Sequence, residues 1–259
     1  MSILFVTNRN IINTCGELRL IKNRAVALQR EYGVETDFLV FRSDKCQKHP
    51  QEEIGANSTL GKYLYKDKNV FSFLQQWRAF KKQVFQRVKD NEYDAVVLSG
   101  NLAFRLAKQL KKKYPNTRLV FDVHGAIEEL IEFGGKGKLS RMIKRTLFYV
   151  LKSIERKHMK YADGLFVVSN ALKDYLIKEY KIDGKEFFLV PCAQNRYELD
   201  KAQKQENRAK YREKYGIESN EKLFIYSGGL SPWQCVEESV ALFKEIQSVE
   251  ENCKLLLLT

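Results

Sequence analysis

Residues 94–125 read DAVVLSGNLAFRLAKQLKKKYPNTRLVFDVHG. Asp94 to Ser99 and Arg118 to Val123 are short apolar runs rich in β-branched residues. Runs of that kind belong to strands buried on both faces of a sheet. Leu102 to Tyr114, between them, has helical spacing. Strand, helix and strand joined this way make a crossover unit, and its two strands lie parallel.

The pattern continues in both directions. Further strands are predicted at Ile3–Thr7, Val34–Phe41, Gly164–Ser169, Glu186–Val190, Lys222–Ser227 and Cys253–Leu258. Leu18, Ile21, Ala25, Leu28 and Tyr32 fall on one helical face, and Gly33 stands where a left-handed cap ends that helix. Helices are also predicted over residues 71–88 and 139–161, and from a cap at Ser169 or Asn170 to Tyr180. The expected fold class is α/β, a doubly wound parallel sheet covered by helices on both faces. In such sheets ligands bind outside the carboxyl ends of the strands.

Those ends carry small or polar residues: Thr7-Asn8, Ser99-Gly100-Asn101, Asp122 to Gly125, Ser169-Asn170, Pro191-Cys192-Ala193 and Ser227-Gly228-Gly229. Turn formers gather at any strand end. Recurrence at six ends points to a crevice lined by Asn8, Ser99, Asn101, Asp122, Gly125 and Ser169. His124 faces it and can donate a hydrogen bond or pass a proton.

The chain has 259 residues, 44% of them hydrophobic, with 45 Lys and Arg against 32 Asp and Glu, a net charge of +13. That excludes a disordered tail or a disulfide-stapled mini-domain. The five cysteines show no paired spacing, so a reduced, cytoplasmic compartment and no metal are expected. No apolar run is long enough to cross a bilayer, and the first residues are unlike a secretion signal.

After Val190 the composition changes. Tyr197 to Tyr215 is dominated by Lys, Arg, Glu and Gln. The expected organisation is a first domain over 1–195, a linker and helix over 196–221, and the start of a second domain over 222–259. One strand, one helix and one strand make a marginal unit with open sheet edges. The sequence is therefore expected to be part of a longer chain.

Neither GxxxxGK[ST] nor GxGxxG nor GxSxG occurs, which removes the usual signatures of nucleotide hydrolysis, nicotinamide chemistry and a nucleophile elbow. Two looser glycine sites remain, Gly16 before the first helix and Ser227-Gly228-Gly229 after the first strand of the second unit, where backbone N–H groups can face an anion. Glu128, Glu129 and Glu132 read as helix surface rather than metal ligands.

Residues 136–160 hold nine Lys and Arg against Glu155 alone, interleaved with apolar residues. A basic amphipathic helix of this kind can rest on an anionic membrane surface, with Lys144, Arg145 and Lys152 toward the lipid; its bland alternative is a helix covering the sheet. No nucleic-acid-binding motif accompanies the charge.

Asp122-Val123-His124-Gly125, then Tyr161 to Leu172, Phe187 to Pro191, Tyr215-Gly216-Ile217 and Phe224 to Pro232 resemble, in order and spacing, the family 4 glycosyltransferases of the GT-B fold. The resemblance implies a Rossmann-like acceptor-side domain and an incomplete Rossmann-like donor domain. It further implies a retaining transfer from a nucleotide-sugar to a glycan or lipid-linked acceptor, as in polysaccharide biosynthesis, without metal or other cofactor. On it, His124 lies by the transferred sugar, while Gly16, Ser227, Gly228, Gly229 and Gln234 lie on the donor side.

At the donor loop Gly229 replaces the family's Arg, Gln234 its Lys and Cys235 its Gly, and Pro191-Cys192-Ala193 replaces Pro-Asn-Gly. Without the two cations the departing diphosphate is poorly stabilised, so this chain alone is expected to turn over weakly. A non-catalytic membrane- or partner-binding protein on the same fold is the alternative, and a nucleotide-sugar epimerase a third reading. The expected location is cytoplasmic, peripheral on the inner membrane face.

Overall fold

The computed structural model describes residues 1–10, 16–43, 58–63, 70–128, 131, 137–192, 199–230 and 234–259. They divide into two compact units, Met1–Asn195 and Arg196–Thr259.

In the first unit seven parallel strands form one sheet: β1 (Ser2–Asn10), β2 (Glu35–Ser43), β3 (Ser58–Tyr63), β4 (Ala95–Ser99), β5 (Arg118–Val123), β6 (Gly164–Val167) and β7 (Glu186–Leu189). Their spatial order is β3-β2-β1-β4-β5-β6-β7. The order reverses between β1 and β4, which is where open α/β sheets form a crevice. The strand β3 has no counterpart in the sequence reading.

Helix α1 (Gly16–Tyr32) ends as its sequence predicts. Gly33 takes φ 62° and its N–H donates to the Gln29 carbonyl at 3.0 Å. Tyr32, expected on the apolar face, is exposed. Helix α2 (Val70–Asn91) follows. The helix expected over Leu102–Tyr114 is two pieces, α3 (Asn101–Phe104) and α4 (Ala107–Lys113). Then come α5 (Lys138–His158), which runs into a 3-10 turn over Met159–Tyr161, and α6 (Asn170–Tyr180).

Alternate strand residues enter two cores. Leu4, Val96, Leu98, Leu119 and Phe121 pack with residues of α2, α3, α4 and α6, and Phe121 stacks on Phe104 at 4.3 Å. Ile3, Phe5, Ala95, Val97 and Val120 pack with Ile21 and Ala25 of α1. Burial on both faces explains why the strands read as continuous apolar runs.

The second unit holds α7 (Lys201–Lys214), β8 (Lys222–Ser227), α8 (Val236–Val249) and β9 (Cys253–Leu258). Asp200 opens α7 with a reciprocal capping box to Gln203. The two strands pair parallel, and Phe224 meets Phe243 of α8 edge-on at 5.7 Å.

Candidate active site

The sheet register builds the site. Thr7 pairs with Ser99, Ser99 with Asp122, and Asp122 with Phe166, across β1, β4, β5 and β6. Along β1, β4 and β5 the residues of the α1-side core alternate with those of the other face. Continued to the carboxyl ends, that alternation places Thr7, Ser99 and Asp122 in one row on the α1 side. All three are buried, Asp122 at 1% exposure. A buried carboxylate needs a partner, and α1 supplies one.

Arg24 lies three residues after Ile21 and four before Leu28, on the face α1 turns to the sheet. Its side chain is 9% exposed; one terminal nitrogen ion-pairs with Asp122 and the other donates to the Val190 carbonyl at 3.1 Å. The guanidinium also lies 5.8 Å from the centre of the Phe166 ring. Arg24 thus ties β5, β6 and the end of β7 to α1.

His124 follows β5 directly. Its Nε2 is 3.3 Å from the Ser99 hydroxyl and 3.1 Å from Asp122 Oδ2, but misaligned for a hydrogen bond to the carboxylate. Asp122 Oδ2, His124 Nδ1 and Arg24 Nε are left as buried polar atoms without hydrogen-bond partners. Buried orphans call for a ligand or water to complete them, and all three belong to residues gathered at this sheet edge.

The other expected crevice residues are placed as follows. Gly125 is half-buried beside His124. The Ser169 hydroxyl accepts from the Leu172 N–H at 3.1 Å as the cap of α6, which leaves its own proton as a donor. The Asn101 side chain lies toward Glu155 of α5, on which α3 packs. Asn8 falls within β1, and its side chain lies outside the described residues. Gly16 is exposed as the first residue of α1, and a Cβ there would meet nothing within 4 Å.

In the second unit Ser227 ends β8, and the Gly228 N–H donates to the Leu258 carbonyl at 3.0 Å. The Tyr226 hydroxyl shares its one proton between the Gly229 carbonyl at 2.8 Å and the Gln234 carbonyl at 3.2 Å. The Gln234 side chain lies against the glycine pair, so that a Cβ on Gly229 would be 2.7 Å from its Oε1. Glu237 and Glu238 occupy the first turn of α8, where they already offset the positive end of the helix dipole.

One expectation is overturned. Lys152, expected to face lipid, is 8% exposed. Its ammonium is held by Glu128, by the Tyr175 hydroxyl at 2.5 Å and by Glu179 at 3.2 Å. Burial pulls its pKa down, but the bonds to Glu128, Tyr175 and Glu179 outweigh that and raise it above the ordinary lysine value. Glu128, read as helix surface, is the partner of this buried cation. Lys144 is half-buried and Arg145 exposed, its guanidinium 5.9 Å from the Tyr149 ring centre.

Helix α5 also exposes apolar residues. Leu139, Met142, Ile143, Leu147 and Val150, between 44% and 66% exposed, make an outward stripe bordered by cations. Among the described residues no helix is long and apolar enough to cross a membrane.

A parallel sheet in this order, with its polar row at the switch point, defines the Rossmann-like class of fold. The sequence profile of Glycosyltransferase Family 4 matches residues 19–195. The chain belongs to this family. No curated protein matches it in sequence.

Among solved structures, sucrose-phosphate synthase from Thermosynechococcus elongatus matches 100% of this chain and 70% of its own, at 10% identity and a TM-score of 0.59. The lipopolysaccharide outer core galactosyltransferase WaaB in its apo form matches 100% of this chain and 68% of its own, at 14% identity and 0.59. Phytolacca americana UGT2, complexed with UDP-2fluoro-glucose and pterostilbene, matches 100% and 72%, at 10% identity and 0.58. These likenesses establish the GT-B type of fold.

Arg24 was the residue missed by sequence reasoning. Its signal is a cation inside the apolar face that Ile21, Ala25 and Leu28 define.

Proposed function

We propose that the protein moves a sugar from a nucleotide-sugar donor to a glycan or lipid-linked acceptor, with retention of anomeric configuration. Family membership supports glycosyl transfer, and the UDP-sugar bound to the Phytolacca enzyme supports the donor class. The observation that carries the site assignment is the buried group of Arg24, Asp122, His124 and Ser99 at the carboxyl edge of the sheet, with three polar atoms still unpaired. His124 Nδ1 is suited to a sugar hydroxyl. The backbone N–H groups opening α1 at Gly16 are suited to the diphosphate, where charge accumulates as the bond to the anomeric carbon breaks. The acceptor side is the crevice bounded by Ser99, Asp122 and Gly125, in the unit that spans residues 1–195, with the donor side beyond residue 222. No metal is required in this reading.

The apolar stripe of α5, bordered by Arg145 and its neighbouring cations, supports a peripheral position on an anionic, inner membrane surface, where a lipid-linked acceptor is presented. A second reading, a non-catalytic protein on the same fold, is favoured by Gly229 and Gln234 in the places of two cations and by the carboxylates opening α8.

Thermal shift of the full gene product with UDP- and GDP-sugars, alongside sedimentation with phosphatidylglycerol vesicles, separates the readings. Transferase function predicts stabilisation by one nucleotide-sugar, and membrane docking predicts salt-sensitive sedimentation that Arg145→Glu weakens. Vesicle binding without any nucleotide-sugar response supports the non-catalytic reading. Absence of both contradicts the proposal.

A further inference from the structure

The deeply placed charged side chains among the described residues include Arg24, Asp122, Lys152 and Glu155. Arg24 and Asp122 belong to the crevice. Lys152 and Glu155 lie three residues apart on α5, on its inner face, and nothing in the transfer reading uses them.

The partners of this pair come from three separate connections. Asn101, which opens α3 directly after Ser99 and Gly100 at the end of β4, lies beside Glu155, and α3 packs on α5. Lys152 holds Glu128, four residues beyond His124 in the connection that follows β5. Lys152 also holds Tyr175 and Glu179, and the Tyr180 hydroxyl donates to Glu155; all three lie on α6, whose N-cap is Ser169 after β6. The connections that carry Ser99, His124 and Ser169 are therefore held against the same turn of α5.

Connections between strand and helix are ordinarily the most mobile parts of such a domain. Apolar packing on α5 would hold them near the sheet without fixing their orientation. Charge-assisted hydrogen bonds fix both distance and direction.

We infer that Lys152 and Glu155 are positioning residues of the acceptor crevice, holding the connections that carry Ser99, His124 and Ser169 in one fixed arrangement. That the crevice takes an acceptor rests on the function proposed above; that α5 sets its geometry does not.

The test is hydrogen exchange on the full gene product, with kinetics added. Lys152→Met is expected to raise exchange about tenfold in peptides covering 124–128 and 169–180. Glu155→Leu, which removes both carboxylate oxygens, is expected to do so over 99–104, while peptides from α1 and from β8 and β9 stay unchanged in both variants. Lys152→Arg, which restores the charge, is expected to restore protection. In the transfer assay the same variants raise KM for the acceptor severalfold and leave KM for the nucleotide-sugar unchanged.

Uniform loss of protection throughout the first unit, or no loss at 99–104 and 124–128, overturns the inference. If Lys152→Met fails to fold, Glu179→Gln, which removes one exposed arm of the cluster, is expected to loosen 169–180 alone; unchanged exchange there also overturns it. A wild-type protein that transfers no sugar contradicts the proposed function and leaves the exchange result intact.

Discussion

Replacing Arg24 by methionine is expected to destabilise the first unit by about 3 to 5 kcal/mol, the usual consequence of stripping one partner from a buried ion pair. The reason is the position of Asp122, whose side chain is 0% exposed and whose register neighbours Ser99 and Phe166 bring no positive charge. Methionine fills much of the volume of arginine's stem, so the loss is electrostatic. The bond from Arg24 to the Val190 carbonyl goes with it.

The double variant Arg24→Met with Asp122→Asn removes both charges and is expected to recover most of that loss. Denaturant unfolding of the four proteins of this cycle measures the coupling. A single variant within about 1 kcal/mol of wild type would mean that the two charges do not interact in this way. Recovered stability without recovered transfer would locate the purpose of the pair in the crevice, where the carboxylate stands 3.1 Å from His124 Nε2.

The second large effect concerns pH. Burial pushes the Glu155 carboxyl from 4.5 up to about 7; the Tyr180 hydroxyl, Lys152 and Asn101 act against that shift and Glu128 adds to it. Between pH 4.5 and 7 the folded state therefore holds this proton more tightly than the unfolded chain. Stability from Glu155 is greatest below pH 4.5 and is lost as pH rises through 7, by about 3 kcal/mol in all.

Glu155→Gln keeps the shape of the protonated form and cannot ionise. Its stability is expected to match wild type near pH 5 and to exceed it by roughly 3 kcal/mol above pH 8. His158 contributes with the opposite sign, because burial and its cationic neighbours Lys157, Arg105, Lys108 and Lys160 hold its pKa below the ordinary imidazole value. The difference between variant and wild type cancels that contribution. A gap independent of pH would show that Glu155 is not the group titrating.

How much of this was legible in the sequence differs from element to element. The strand ends at Thr7, Ser99 and Asp122 were visible because polar residues interrupt apolar runs at the same relative point, and the sheet register then places them side by side. Ser58–Tyr63 was not, since it lacks a β-branched run and contains glycine. Pairing with β2, a contact of tertiary structure, makes it a strand.

Helix α5 was read with its charges outward, as helical period usually warrants. It has two apolar faces, however. Phe148 is buried on one, with Lys152 and Glu155, while Leu139, Ile143 and Val150 are exposed on the other. Periodicity cannot say which face meets the sheet, so of the two readings it allows, the helix covering the sheet is the one that holds at Lys152. Arg24 escaped notice for the complementary reason: a cation within an apolar face reads as noise until the strand opposite is known to end in Asp122.

Transfer of labelled sugar by the full gene product, comparing wild type with His124→Ala, tests the assignment of the crevice most directly. Wild type is expected to form a product that keeps the donor's anomeric configuration, and the variant to fold normally while losing about a hundredfold or more of the rate. Equal transfer by the two proteins would contradict the account.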